Sequence, residues 1–520
     1  MFRPARSKRP QKQQITRTAS VPAPVGGWNA RDSLAAMDRA DAVVLQNFFA
    51  LPYSVRLRKG YTSWATGLGA QVETLMQYRP PTGGGSMFAA AGANIYDVTS
   101  GGAVGAAVVS GLTNARWQYI DFAVGGTSYL YAVNGADKPR LYNGVAWTAI
   151  DGVSVPAVTG VTTTNLVNIN VHKSRIWFIE SGTLKAWYLP TNSVGGAVSA
   201  LDLSGLCVRG GYLMTMATWT LDAGRGMDDH AVFITSEGEI VVYAGVDPAS
   251  AATWQLVGVY AMGTPLGRRC AVKYAGDVLV ITKDGLFPLS KALMSSRVNT
   301  KTALTDKIQS AVSEATTLYG TSFGWQTMIY PPENMLFLNV PVAVGSQQQY
   351  VMNTISGAWS NFTNMPANCW ELWNDILYFG GNGVVYKAWN GTNDNGANIV
   401  GEALPAFNYF GSATQQKRFT MVRPLIATDS TAGLLFGINT DFKNVTPTGV
   451  PSFASATSSA WDTAKWDSGA WGSSDLEMKT DWQSVFGVGF CGALHMIIET
   501  NSANLQWIAT DYVIEDGGVI

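Results

Sequence analysis

Three histidines, His172, His230 and His495, and four cysteines, Cys207, Cys270, Cys369 and Cys491, are the side chains best suited to metal or nucleophilic chemistry in this chain. Their spacing supports neither. No two histidines stand at metal-ligand separation, no cysteines form a short zinc-type pair, and no nucleophile motif surrounds them. His230 follows Met227-Asp228-Asp229, a charged run that reads as a loop leading into a strand. The cysteines read as buried reduced thiols rather than as a disulfide framework. Gly224-Arg225-Gly226 and Gly267-Arg268-Arg269 are rich in the residues of a phosphate loop. They lack its strand-to-helix context and its Lys-Ser/Thr ending, and read as turns between strands. No catalytic, cofactor-binding or metal-ligating residue is assigned, no cofactor is implied, and the chain is not expected to be an enzyme.

Charge narrows the partners. The 520 residues carry a formal net charge of −1 with only 14% charged side chains, too little basic excess for salt-sensitive phosphate binding by the whole chain. One segment departs from this balance. Residues 1–24 hold Arg3, Arg6, Lys8, Arg9, Lys12 and Arg17 with no acidic residue, and read as an extended basic arm. It is either a solvated tail, a contact with an acidic neighbouring subunit, or a phosphate contact. The longest small-apolar stretches, 101–109 and 485–498, are too short and glycine-rich to span a bilayer, and the N-terminus lacks the apolar core of a signal peptide. No membrane contact is expected.

What would position any site is a repeat. Seven copies of an apolar strand, a tight Gly/Asn/Asp turn and a second strand begin near Met87, Tyr129, Arg175, Val232, Asp277, Met335 and Ile376. Their starts lie about 40 to 58 residues apart, the period of four-stranded propeller blades. In the fourth copy, Val232-Phe233-Ile234-Thr235 and Glu239-Ile240-Val241-Val242-Tyr243 flank a turn whose Gly238 is free to take positive φ. Asn134-Gly135, Asp284-Gly285 and Asn382-Gly383 repeat that turn chemistry. An isolated hairpin is marginal in water, so each copy needs further strands and neighbouring units to bury its faces. The uneven spacing leaves six or seven blades open.

The segments outside the repeat differ in character. Residues 25–66 begin Gly26-Gly27-Trp28-Asn29, and Leu34, Met37, Val44, Leu45 and Phe48 recur near helical spacing behind Asp32 or Ser33, which predicts a short helix. A second helix is expected over about residues 302–315, between the fifth and sixth repeats. Past residue 400 the repeat stops, and at least five strands follow, interrupted by a loop with Trp461, Trp466 and Trp471. Their spacing fits neither a helix stripe nor a strand face, so the indoles are assigned to packing on this region or on a neighbouring subunit. The fold class expected is therefore all-β: a β-propeller over 67–400, a C-terminal β-sandwich-like platform over 401–520, and few short helices.

The segment GGWNARDSLAAMDRADAVVLQNFFALPYSVRLRKGY and the closing stretch from YFGSATQQKRFTMVRPLIATD through the WD…WD…W loop to LQWIATDYVIEDGG resemble the tail nozzle (tail tubular protein B) family of short-tailed bacteriophages. The resemblance covers most of the chain and is strongest at its two ends. It implies a virion structural protein, assembled in the host bacterial cytoplasm as a ring, a homohexamer, below the head-to-tail adaptor. Such a ring channels and gates genome ejection, docks tail fibres or spikes on its outer face, and touches phage DNA only transiently and non-specifically. The family also implies that residues 25–66 pack with the C-terminal platform.

Within that picture Arg3, Arg6, Lys8, Arg9, Lys12, Arg17, Trp461, Trp466 and Trp471 are the candidates for subunit or adaptor contacts. Gln347, Gln348 and Gln349, read as a polar uncharged loop over 345–350, are the channel or gate candidates. Two other classes stay open. A propeller can carry paired carboxylates as a polysaccharide depolymerase, although no sialidase-type Asp box recurs here. It can also serve as a cellular interaction scaffold.

Overall fold

Runs such as Val232-Phe233-Ile234 and Leu279-Val280-Ile281 are apolar at every position, a pattern that suits strands buried on both faces. The computed structural model describes residues 16–222, 227–292, 300–343, 345–430, 432–448 and 476–517. The chain divides into two units, one of Lys59–Ala397 and the other of the described parts of Met1–Arg58 and Asn398–Ile520.

The Lys59–Ala397 unit is a seven-bladed β-propeller. Blade 1 consists of residues 72–78, Ser86–Ala91 and Asn94–Asp97. Blade 2 is Gln118–Val124, Thr127–Val133, Arg140–Tyr142 and Trp147–Ala149. Blade 3 is Leu166–His172, Arg175–Glu180, Lys185–Tyr188 and Ser199–Asp202. Blade 4 is Leu213–Asp222, Met227–Thr235, Glu239–Gly245 and Trp254–Ala261. Blade 5 has three strands, Ala271–Tyr274, Asp277–Thr282 and Gly285–Pro288. Blade 6 is Gln326–Tyr330, Met335–Ala343, Ser346–Asn353 and Trp359–Phe362. Blade 7 is Cys369–Trp373, Ile376–Gly380 and Asn382–Ala388, completed by residues 61–71. The seven repeated hairpins are thus the second and third strands of seven successive blades.

One strand closes the ring. The 18-residue strand Tyr61–Tyr78 is the outer strand of blade 7 through its first part and the innermost strand of blade 1 through its second. The innermost strands then contact one another in cyclic order around the axis. Each sheet is buried on both faces because alternate side chains go to different neighbours. Leu130 and Ala132 of blade 2 join Met76 and Phe88 of blade 1, whereas Tyr131 and Val133 join Ile176 and Phe178 of blade 3. Phe233 and Val241 of blade 4 pack on Trp177 of blade 3, and Val232 and Val242 on Val278 and Val280 of blade 5. At Gly238, φ is 76° and a Cβ would run into the Met262 carbonyl oxygen, so this turn of blade 4 requires glycine.

The second unit is a sandwich of two sheets built from both ends of the chain. In the first sheet Leu505–Asp516 lies between Lys417–Thr428 and Thr16–Pro22 and also pairs with Val55–Leu57, while Gln483–Gly489 lines the other side of Lys417–Thr428. The second sheet runs Asp41–Gln46, Ile399–Pro405, Gly492–Thr500, Gly433–Thr440. Phe419, Val422, Tyr512 and Ile514 of the first sheet meet Leu494, Phe436 and Ile438 of the second.

Four expectations are corrected. The helix read over Asp32 to Phe48 is a turn followed by strands Asp41–Gln46 and Phe48–Ala50. Asn29 Oδ1 accepts from the backbone of Arg31 and Asp32 at 3.0 Å each, a side-chain turn that competes with helix. The second helix falls later, at Gln309–Tyr319, behind a 3-10 turn at Asp306–Ile308. It follows the three-stranded blade 5, and its Gln309 and Thr316 bond the Asp284 and Lys283 carbonyls of that blade's turn at 3.1 and 3.2 Å. The divide between units falls after Arg58 and before Asn398, so residues 59–66 belong to the propeller. Within the arm, Thr16–Pro22 is a strand in register with 509–515.

Candidate functional site

Polar side chains concentrate where the innermost strands of the propeller converge. Arg269, just before the first strand of blade 5, sends Nη2 to the Glu73 carbonyl at 3.0 Å, Thr74 Oγ1 at 2.7 Å and the Trp117 carbonyl at 3.2 Å. Arg268 beside it donates to the Asn134 carbonyl at 3.1 Å. Two adjacent guanidiniums therefore tie blade 5 to blades 1 and 2. Phe323 lies under Arg116 and Arg269, 4.5 and 5.4 Å from ring centroid to guanidinium carbon, and Arg116 Nε pairs with Glu73 at 3.0 Å. Charge spread over an aromatic face suits a partly dried cation.

Next along the same strands, Tyr119 of blade 2 donates its hydroxyl to Glu371 Oε2 of blade 7 at 2.5 Å. The other carboxyl oxygen of Glu371 accepts from the Leu372 backbone at 3.1 Å. Burial pushes the Glu371 carboxyl up to about 7, partly opposed by the Tyr119 bond and the nearby arginines. Burial also raises the Tyr119 phenol well above its ordinary value, with Glu371 adding to the effect. Toward the strand ends Asp121 is solvent-exposed, yet enough protein surrounds it to hold its carboxyl at about 7 against the pull of Arg79. Arg79 in turn donates to the Leu372 carbonyl at 3.2 Å.

A carboxyl near 7 has the proton affinity of a general acid. Here both oxygens of Glu371 already accept protein hydrogens, so the pair acts as a cross-axis tie between blades 2 and 7. The column locks blades 1, 2, 5 and 7 together. Sequence reading placed Arg268 and Arg269 in an ordinary turn. Their adjacency in a low-charge chain was the available signal, and their partners lie more than 130 residues away.

The predicted contact residues fare differently. Arg17 is half-buried, pairs with Asp516 at 2.9 Å and donates to the Phe410 carbonyl at 2.6 Å, so its charge is used within its own unit. Arg3, Arg6, Lys8, Arg9, Lys12, Trp461, Trp466 and Trp471 lie outside the described residues. Gln347, Gln348 and Gln349 are not in a loop. They belong to strand Ser346–Asn353 of blade 6, where Gln347 donates to Asn368 Oδ1 at 2.6 Å and Gln349 to Asn339 Oδ1 at 3.0 Å and the Met365 carbonyl at 3.1 Å. Asn339 Oδ1 also accepts from the Trp370 indole at 3.0 Å. Gln347 and Gln349 are thus buried ties between blade 6 and the segment leading into blade 7, which corrects the gate reading.

The histidines stay apart. His172 is buried in blade 3 with Nδ1 3.3 Å from Thr218 Oγ1, and burial holds its ring down to about 4. His230, with Asp228 and Asp229, lies inside strand Met227–Thr235 rather than in a loop before it. His495 is buried in the sandwich, Nε2 2.8 Å from Glu402 Oε1 and Nδ1 3.0 Å from the Val445 carbonyl. All four cysteines are buried and free. Among the described residues no group of three or more His, Cys, Asp or Glu is placed to hold a metal ion.

No family model and no curated protein matches this chain. Solved structures similar to it include YCF48 bound to a D1 peptide, at 13% identity and a TM-score of 0.37, covering 66% of this chain and 97% of that one. Raptor of Chaetomium thermophilum matches at 10% identity and a TM-score of 0.36, covering 63% and 29%. The N-terminal part of BBS1, solved in complex with ARL6, matches at 13% identity and a TM-score of 0.25, covering 42% and 78%. The propeller assignment rests on the seven sheets themselves.

Proposed function

We propose that this chain is a structural subunit of a bacteriophage tail, assembled in the host cytoplasm as a hexameric nozzle below the head-to-tail adaptor. The observation that carries the reading is the pairing of the chain's two ends. The segments whose sequences resemble the nozzle family, one from Gly26 and one from Tyr409, meet in one sandwich, where Val55–Leu57 pairs with Leu505–Asp516 and Asp41–Gln46 shares a sheet with Gly492–Thr500 through Ile399–Pro405. The propeller is a single excursion between them. Its role is mechanical and non-enzymatic: a body locked by Arg269 and by the Tyr119–Glu371 tie presents loops to adaptor, fibres or spikes, while the ring of subunits forms the conduit. A near-neutral chain suits a channel that must let a polyanion slide, because tight phosphate contacts would slow passage.

The test is electron microscopy of particles produced from the genome that encodes the chain. The expected result is six copies at the tail vertex, touching the adaptor. Purified particles that lack the chain, or polysaccharide cleavage by a purified monomer, would reject the reading.

A further inference from the structure

Strand alternation sends neighbours in Gly492–Thr500 to opposite faces of their sheet. Leu494 goes to the core between the two sheets of the sandwich, and His495, opposite Gly437, goes to the face turned away from that core. Residues 441–448 cross this outer face as an irregular strap after Gly433–Thr440. Phe442 packs on Phe407 with ring centroids 5.2 Å apart, and Pro447 sits over Gly437, where a Cβ would lie 3.1 Å from its Cγ. The other six residues of the strap are exposed. Between the two anchors His495, itself fully buried, grips the strap's backbone, with Nδ1 3.0 Å from the Val445 carbonyl oxygen.

We infer that His495 is a latch that fastens this strap when its ring is protonated and releases it when the ring is neutral. A carbonyl oxygen only accepts, so the Val445 contact needs a hydrogen on Nδ1, and the Glu402 carboxylate, with Oε1 2.8 Å from Nε2, needs another there. Both contacts together require the imidazolium. A neutral ring has one hydrogen to place. On Nε2 it keeps the stronger, charge-assisted bond to Glu402 and leaves Nδ1 to accept from the Asn439 amide nitrogen, 3.1 Å away. The Val445 carbonyl then faces a lone pair, and the strap is left on its Phe442 and Pro447 anchors. Asn439 and Val445 thus compete for one nitrogen, and the proton decides between them. The other charged groups on the elements packed against the ring are Glu499 on its own strand and Asp441 and Lys443 on the strap, while Gly433–Thr440 carries none. Glu499 accepts from Asn398 at 2.7 Å and Asp441 from the Phe490 backbone at 2.7 Å, so Glu402 is the counter-charge in contact with the ring. The latch stands on the sandwich alone and is independent of the tail reading.

The test is amide hydrogen exchange in the purified full-length chain at about pH 5.5 and about pH 8.5, on either side of the range in which imidazoles ordinarily titrate, with rates normalised to an unfolded peptide of the same sequence. Protection of the Lys443 amide, which bonds the Thr440 carbonyl at 3.2 Å, is expected to fall at least ten-fold at the higher pH while Gly492–Thr500 keeps its own. Glu402→Gln is the discriminating variant. Its neutral imidazole donates from Nδ1 to Val445 and accepts at Nε2 from the introduced amide, so the strap is expected to stay protected at both pH values. Equal protection of Lys443 at both pH values in the native chain, or a fall of the same size in Glu402→Gln, would overturn the latch. A parallel fall in Gly492–Thr500 would mark opening of the whole sandwich and overturn it equally. So would a neutral His495 ring at the lower pH in nitrogen NMR spectra of the histidine-labelled native chain, its signal identified by loss in His495→Gln.

Discussion

Glu371 is a buried carboxyl with both oxygens occupied, and its proton has a direct consequence for stability. Its folded value of about 7 stands above the ordinary 4.5, so between those pH values the folded chain holds a proton that the unfolded chain has released. Stability is full below 4.5, falls as pH rises through the window and is flat above 7, a cost of about 3 kcal/mol at pH 8. His172 acts oppositely. Its ring is held down to about 4 from 6.5, so its contribution is lost as pH falls through that range, and the two effects partly cancel near pH 5 to 6. Glu371→Gln keeps an acceptor for Leu372 and removes the titration. Measured by urea unfolding, the variant should gain on the native chain from pH 5 to pH 8 by up to about 3 kcal/mol. Parallel pH curves would reject the assignment. None of this was legible in the sequence: Glu371 is one acid among 36 Asp and Glu, and the tyrosine that marks it lies 252 residues away. The three glutamines misled for a related reason. A polar run near Gly345 reads as loop unless its buried partners Asn339 and Asn368 are known.

At the scale of elements, hairpins were readable because both strands and the turn lie within about fifteen residues, and their chemistry is local. Innermost and outer strands were harder. Residues 61–71 bond to 382–388, a pairing no local pattern announces. The misread helix at 32–48 has the same origin: Val43, Val44 and Leu45 suit either period, and the choice is made by pairing with Ile399–Pro405. Closure by a shared strand makes a prediction about cooperativity. Ala65 is fully buried, opposite Val385 on one side and Gly102 on the other. Ala65→Pro removes a backbone donor from that ladder and should cost about 3 kcal/mol or more, opening the ring between blades 7 and 1. The expected sign is a fall of several degrees in the propeller's melting temperature with faster amide exchange in Asn382–Ala388. Unchanged exchange there would show that closure does not depend on the strand.

For the whole molecule, composition alone suggested successive regions, and only the family resemblance implied that residues 25–66 pack with the C-terminal platform; the chain is a sandwich made of its two ends with a propeller inserted between them. Continuity of composition hid this, because both ends are β-rich and their pairing spans more than 350 residues. The arrangement predicts that the insert is self-sufficient. Its closing strand, residues 61–71, lies inside Lys59–Ala397, and so do Asn390 and Asn393, which bond Gly60 and Tyr61 at 2.9 and 3.1 Å and hold the two ends of the insert together. A fragment of residues 59–397 should therefore fold alone, with near-ultraviolet dichroism from its packed indoles and one cooperative melt. A fragment of residues 79–397 lacks the innermost strand of blade 1 and the outer strand of blade 7 together, and should neither melt cooperatively nor resist protease. If the longer fragment also fails, the propeller draws its stability from the sandwich. If the shorter one folds, the shared strand is not what closes the ring.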